Sequence, residues 1–222
     1  MRHVLFSALL CAFTISGPLA AQDNALLNDP VAQLQRQLDD GRQTLQIGPD
    51  RLASLAAVLE RFGIRRDSQV LVFAKDSLQA PHISPSTPRS IYFSDDMYVA
   101  SVPGGDLFEV VAIDPAQGPV FYTLAAGASL QPRFERRITE CTSCHGHNPA
   151  RLVVTSVTPA VDGSPFLVLT GTEQPLNVDH RTPLEDRWGG WYVTGTHGSQ
   201  RHKGNAVAPD ILKPFELETN ST

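Results

Sequence analysis

The residue pattern with the clearest chemistry is a Cys-Thr-Ser-Cys-His run at residues 141–145. Each of the thiols of Cys141 and Cys144 can form a thioether with one vinyl group of a haem, and a two-residue spacing lets a tight turn present both sulfurs together. His145 follows at once, so its imidazole is held beneath the ring and can bind the iron from the proximal side. Cys-x-x-Cys-His is the attachment pattern of c-type haem. The sequence therefore predicts one covalently attached haem c, held by Cys141 and Cys144, with His145 as the proximal iron ligand.

The N-terminus predicts export. Residues 1–3 form a short basic start, residues 4–15 are almost entirely apolar, and a Gly-Pro break with small residues follows before Gln22. This order is typical of a secretory signal peptide, here assigned to residues 1–21. The apolar run is too short for a permanent membrane helix, and no other stretch comes close to the required length. We therefore expect a periplasmic or secreted protein with no stable membrane span after signal removal.

Removal of the signal peptide changes the cysteine count and the charge. The chain has three cysteines, and Cys11 lies in the apolar run, so only Cys141 and Cys144 remain in the mature chain. With only these two thiols, the mature chain is not expected to be built around a framework of disulfide bonds. The formal charge of −5 becomes −6, because the removed segment contains Arg2 and no acidic residue. An acidic chain lacks the basic face that nucleic-acid binding needs, and we expect a redox partner protein instead.

Three other uses of the cysteine pair are alternatives to haem attachment. A zinc site usually draws on a second Cys or His pair, and the spacing of His180, His197 and His202 matches no common ligand pattern. A thioredoxin-like disulfide exchanger carries Cys-x-x-Cys after a strand and at the start of a helix in a βαβ unit, whereas Asn148-Pro149 would end a helix just after the motif. A structural disulfide beside an incidental histidine is the third alternative. Haem attachment is favoured over all three.

The sixth position of the iron has no obvious ligand. Met97 is the only methionine after the signal and lies upstream of the motif, which argues against the small helical cytochrome c fold with its downstream methionine. His197 is the candidate distal ligand, because it lies in a glycine-flanked turn that follows an aromatic segment. The rings of that segment would wall a flat apolar macrocycle: Trp188, Trp191 and Tyr192. A solvated loop histidine beside ordinary core aromatics is the alternative. The other histidines after the signal are weaker candidates: His82, His147, His180 and His202.

The hydrophobic pattern predicts an α+β fold, with N-terminal helices followed by a predominantly β domain that carries the haem motif. One helix is expected after an Asp29 cap with Pro30 at its first position, and a second over residues 50–62. From Gln69 onwards, short apolar runs separated by turn signals predict strands instead. These are expected at 69–75, 90–94, 98–102, 107–113 and 120–124, with a hairpin at 152–157 and 166–169 and a strand-like segment at 188–194.

This pattern also divides the chain into regions. Residues 1–21 are assigned to the signal peptide and residues 22–68 to an N-terminal helical segment. Residues 69–212 are assigned to a β-rich haem-binding domain, and residues 213–222 to a flexible tail.

Two segments resemble a known group of proteins. Residues 81–93, Pro-His-Ile-Ser-Pro-Ser-Thr-Pro-Arg-Ser-Ile-Tyr-Phe, and residues 187–198, Arg-Trp-Gly-Gly-Trp-Tyr-Val-Thr-Gly-Thr-His-Gly, are similar to uncharacterised exported bacterial proteins grouped with the c-type cytochromes. The resemblance covers residues 70–205. It implies haem binding and a redox role, and it names no substrate. Some members carry methionine at the position of Lys203, which implies that a methionine ligand is missing here and favours a histidine or a vacant site.

Two classes of function fit these observations. The first is an electron carrier with both axial positions of the iron filled. The second is a haem enzyme or a gas or redox sensor, for example peroxidase-like, with an open iron face. Three arginines before the motif would pair with haem propionates or assist at the distal face: Arg133, Arg136 and Arg137. Their alternation with Phe134 and Ile138 also suits a solvated strand face. Electron transfer is favoured, and no catalytic residue is assigned.

Overall fold

The computed structural model describes residues 27–145, 152, 154–165 and 176–208. The predicted signal peptide (1–21), the predicted tail (213–222) and the expected strand at 166–169 lie outside the described residues. The described helices are α1 (Pro30–Asp39), α2 (Arg51–Arg61) and α3 (Thr139–His145). The described strands are β1 (Val70–Val72), β2 (Arg89–Phe93), β3 (Met97–Ser101), β4 (Leu107–Asp114), β5 (Gly118–Ala125), β6 (Phe134–Arg136), β7 (Val154–Ser156), β8 (Leu176–Val178) and β9 (Trp191–Tyr192). None of the described helices is long and apolar enough to cross a membrane.

Seven of these strands form one antiparallel sheet in the order β6-β5-β4-β3-β2-β1-β9. Strands β2 to β5 are joined by short turns, and burial alternates strictly along β4. Successive side chains of a strand point to opposite faces of the sheet, so this alternation shows that only one face is covered along β4. Strands β7 and β8 pair separately, also antiparallel. Among the strands described, none belongs to the parallel βαβ unit that a thioredoxin-like exchanger needs.

One face of the large sheet carries the main hydrophobic core. Val99, Val110 and Leu124 point to this face and are almost completely buried. Helices α1 and α2 cover them with an apolar stripe each, including Val31 on α1 and Val58 on α2. Full burial of such a side chain contributes about 1.5–3 kcal/mol. The helices are therefore held by the sheet.

The expected α+β class is wrong, because the described chain is mostly β. The two N-terminal helices are present where the periodicity predicted them, yet they form no helical bundle ahead of a β domain. Both pack into the same hydrophobic core as the sheet. Helices of 10 and 11 residues take their stability from tertiary packing and gain little from propensity alone. Their periodicity identifies an apolar face but does not reveal what covers it.

Asp29 ties the start of α1 to strand β5. Its Oδ1 caps the helix by accepting bonds from the backbone N–H groups of Val31 and Ala32, at 2.8 and 3.0 Å. Its Oδ2 accepts a bond of 2.7 Å from the hydroxyl of Tyr122, and the residue is fully buried. Burial and then the bond to Asp29 raise the pKa of Tyr122, so the phenol remains a donor. This bond anchors the strand that also carries Phe121 on its other face.

Candidate haem-attachment site

Helix α3 carries the whole Cys-x-x-Cys-His motif, directly after the edge strand β6. Positions three and four apart share one face of an α-helix, so positions 141, 144 and 145 lie on one side of α3. Cys141 and His145 are half-buried. A tight turn was expected at the motif, and a helical turn is found. The helical turn gathers the three motif positions equally well.

The ring of His145 stacks on the ring of Phe121. The ring centroids are 4.7 Å apart, and the planes differ by 28°. Phe121 lies on β5 between two side chains that face the helix-covered core, so it points to the opposite face of the sheet. His145 therefore lies on the face that α1 and α2 leave uncovered. The stack restrains the imidazole through its ring face, whereas iron binding uses a ring nitrogen.

Arg137 connects the start of α3 to the sheet. Its side chain donates to Thr123 Oγ1 at 2.9 Å, and Thr123 is almost completely buried. It also forms ion pairs with Glu135 at 2.6 Å and with Glu140 at 3.5 Å. Its backbone N–H donates to the carbonyl oxygen of Phe121 at 2.8 Å. Arg137 is therefore positioned as an anchor that holds the motif helix against β5.

Of the other two arginines before the motif, Arg133 directly precedes β6 and Arg136 is its last residue. Arg133 forms an exposed ion pair of 3.3 Å with Asp39, and Arg136 donates to Gln117 at 3.4 Å. A strand is found here, but Phe134 and Arg136 lie two residues apart and point to the same face, so the arginines do not share one solvated face. An exposed ion pair contributes only about 0–1 kcal/mol, so Arg133 can change its partner at little cost. The pairing of these arginines with haem propionates stays a prediction.

His197, the predicted distal ligand, lies in a different part of the fold. It follows β9, which is the edge strand at the far end of the sheet from β6. Five inter-strand steps separate β9 from β5, or about 24 Å measured along the sheet. The structure does not bring His197 beside His145. Its role as the distal ligand stays a prediction.

His197 instead packs against His202, with ring centroids 4.4 Å apart and planes at 74°. Nδ1 of His197 lies 2.7 Å from the carbonyl oxygen of Gln200. A carbonyl only accepts, so Nδ1 of His197 carries a proton. Nδ1 of His202 accepts a bond of 3.0 Å from the backbone N–H of Gly204, which places the proton of that ring on Nε2. Both Nε2 atoms are buried without a hydrogen-bond partner in the described part of the chain.

The burial of His202 was not predicted from the sequence. His202 stands between Arg201 and Lys203, and these polar neighbours made it a weaker ligand candidate, yet it is 1% exposed. Burial, and secondarily the charge of His197, lowers the pKa of His202. The ring is therefore neutral at pH 7. The only signal of its burial in the sequence is Gly204, whose missing side chain lets the chain close tightly over the ring.

Comparison with protein-family models, with curated proteins and with solved structures gave no match for this chain. Within residues 27–145, 152, 154–165 and 176–208, no group of three or more His, Cys, Asp or Glu side chains forms a metal-binding cluster. The resemblance to exported cytochrome-like proteins stays a prediction. The function is therefore inferred from the motif and the residues around it.

Proposed function

We propose that this chain is an exported c-type cytochrome-like protein that carries one covalently attached haem and transfers electrons to a redox partner protein. The observation that carries the proposal is the motif itself, two cysteines followed by a histidine, at positions that share one side of α3. The donor set fits the group, since two thiols suit the two vinyl groups and an imidazole suits the iron. Haem bound here supplies a one-electron couple.

The chain's own residues have distinct roles in this proposal. Cys141 and Cys144 would fix the macrocycle to α3 by thioether bonds, and His145 would hold the proximal side of the iron. Phe121 restrains the His145 ring by stacking, at a centroid distance of 4.7 Å. Arg137 holds the helix to β5 through Thr123. These two contacts keep the proximal ligand in one orientation, which electron transfer favours because little has to rearrange.

Exposure of the motif helix also supports electron transfer. Thr139 and Glu140 at the start of α3 are exposed, and β6 beside them is the edge of the sheet. A macrocycle attached to such a helix has an edge within reach of a partner's surface. The mildly acidic mature chain would attract a basic partner.

A haem enzyme or a gas or redox sensor is the second candidate, and one observation favours it. His197 lies at the far end of the sheet from His145, so the predicted distal ligand is not beside the proximal one. An iron without a second protein ligand would bind a small molecule.

An optical spectrum of the reduced protein with and without carbon monoxide distinguishes the two candidates. The protein is produced with its signal sequence in a host that attaches c-type haem. An electron carrier with two protein ligands is expected to keep its spectrum when carbon monoxide is added. A clear shift of the Soret band would reject the carrier and support the enzyme or sensor. A His197→Ala variant reports on the distal ligand, since a changed spectrum would assign His197 to the iron.

A further inference from the structure

A row of apolar side chains crosses the face of the sheet opposite α1 and α2, starting from the residue on which His145 lies. Cross-strand pairing places Phe121 opposite Val111. It also places Val111 opposite Tyr98, and Tyr98 opposite Phe93. Directly opposite residues of an antiparallel sheet point to the same face. The row therefore spans four adjacent strands, β5 to β2, over about 14 Å.

This row is apolar and incompletely covered. Phe93 is 41% exposed, and the other three members are half-buried. On the opposite face, by contrast, the side chains next to them along the strands are buried under α1 and α2, for example Val99 and Val110. The rings of Tyr98 and Phe93 are stacked, with centroids 6.3 Å apart and planes at 21°. A contiguous apolar strip of this kind on a soluble protein marks a binding surface.

Polar side chains flank the row on β4 and β5. The next residue on β4, two positions before Val111, is Glu109, which forms an ion pair of 3.2 Å with Arg89 and accepts a bond of 2.6 Å from Ser77. Beyond Phe121 on β5, the corresponding residue is Thr123, which accepts the bond from Arg137. The strip is therefore flanked by polar side chains near the motif helix, whereas on β3 and β2 the corresponding residues are the apolar Ala100 and Ile91.

We propose that this row is the surface that the covalently attached haem covers. The inference rests on the proposed function and names the residues that the macrocycle packs against: Phe121, Val111, Tyr98 and Phe93. A flat, apolar and aromatic ligand suits a strip of stacked rings and aliphatic groups without a charged member. The strip starts at the residue that supports His145, and α3 tethers the ligand at that end. A partner protein or a second copy of the chain would have no such tether.

Hydroxyl-radical footprinting read by mass spectrometry tests the proposal. The haem-loaded wild type is compared with the haem-free Cys141→Ser/Cys144→Ser variant. Labelling of Phe93 and Tyr98 is expected to be several-fold lower in the haem-loaded protein. Leu52 is 76% exposed on α2, which covers the other face of the sheet, so its labelling should be equal in both proteins and serves as the internal control.

Failure of this inference is distinguishable from failure of the proposed function. Equal labelling of Phe93 and Tyr98, in a wild type whose haem is retained on a denaturing gel, would overturn the inference and leave haem attachment standing. Protection that appears in both proteins and grows with protein concentration would assign the row to a second copy and would also overturn it. A wild type without haem on the gel would overturn the proposed function, and the inference with it.

A second measurement needs no haem-free protein. Circular dichroism in the Soret region reports on aromatic groups close to the haem. Phe93→Ala and Tyr98→Ala are each expected to change the Soret dichroism of the haem-loaded protein. Leu52→Ala is the matched control, because Leu52 is 76% exposed on α2, which covers the other face of the sheet. Unchanged Soret dichroism in both row variants would refute the packing of the haem on this row.

Discussion

Replacement of Tyr122 by phenylalanine tests how the strand beneath the motif is anchored. The variant keeps the buried ring but removes the hydroxyl that donates to Asp29 Oδ2 at 2.7 Å. Asp29 is fully buried, so its carboxylate cannot recover the lost bond from bulk water. A hydrogen bond to a charged group contributes about 1.5–3 kcal/mol, and we expect Tyr122→Phe to lower the free energy of unfolding by about 2 kcal/mol. For a chain of this size, that corresponds to a fall of about 4–8 °C in Tm.

Urea unfolding followed by far-ultraviolet circular dichroism measures this effect. The midpoint should fall while the m-value stays the same, because the change affects stability and not the surface exposed on unfolding. Tyr98→Phe is the matched control, since Tyr98 is half-buried on the other face of the sheet, and its loss of a hydroxyl should cost less than about 0.5 kcal/mol. Equal, small effects of the two substitutions would refute the claim that the Tyr122–Asp29 bond anchors α1 to β5.

Three further outcomes are expected. Because burial lowers the pKa of His202, the unfolded chain takes up a proton at this residue at a higher pH than the folded chain does. The free energy of unfolding should therefore fall below about pH 6.5, and His202→Gln should flatten this pH dependence. Parallel curves of stability against pH for the two proteins would contradict this expectation. Gly163→Ala should lower the free energy of unfolding in urea by more than about 1 kcal/mol, because Gly163 has a φ of +89° and a Cβ would lie 2.4 Å from the carbonyl oxygen of Phe73. An unchanged free energy of unfolding would rule out that close contact. In the proposed haem-loaded protein, Phe121→Ala should loosen the ring of His145, so added imidazole should replace it at a lower concentration in an optical titration; superimposable titrations would show that the stack is unimportant.

Local pattern was sufficient to predict β1 to β5, but β8, which pairs with β7, was not predicted. β4 is an apolar run in the sequence, and the turn signals on either side separate it from β3 and β5, whereas its alternating burial comes from the helices that cover one face of the sheet. The helices were predicted for the same reason, from the Asp29 cap and apolar spacing. Their place in the fold was not predictable, because it depends on contacts between residues far apart in the chain, such as Tyr122 with Asp29. The α+β expectation failed at this step.

The candidate site divides in the same way. The motif is contiguous in sequence, so its three members and their shared face required no knowledge of the fold. The support for His145 comes from Phe121, which the pairing of β5 with β6 and the turn into α3 bring beneath it. No sequence spacing signals that contact. His202 was missed because its neighbours in the sequence, Arg201 and Lys203, are charged, whereas its own ring is buried.

The mass of the intact mature protein under denaturing conditions tests the central claim most directly. The protein is produced with its signal sequence in a host that attaches c-type haem, and its mass is measured with all covalent bonds intact. We predict the mass of the chain after removal of residues 1–21 plus the mass of one haem, with the added mass on the peptide that contains Cys141 and Cys144. Cys11→Ser is the matched control and should give the same mass as the wild type, because Cys11 leaves with the signal. A wild-type mass equal to the polypeptide alone would contradict the account.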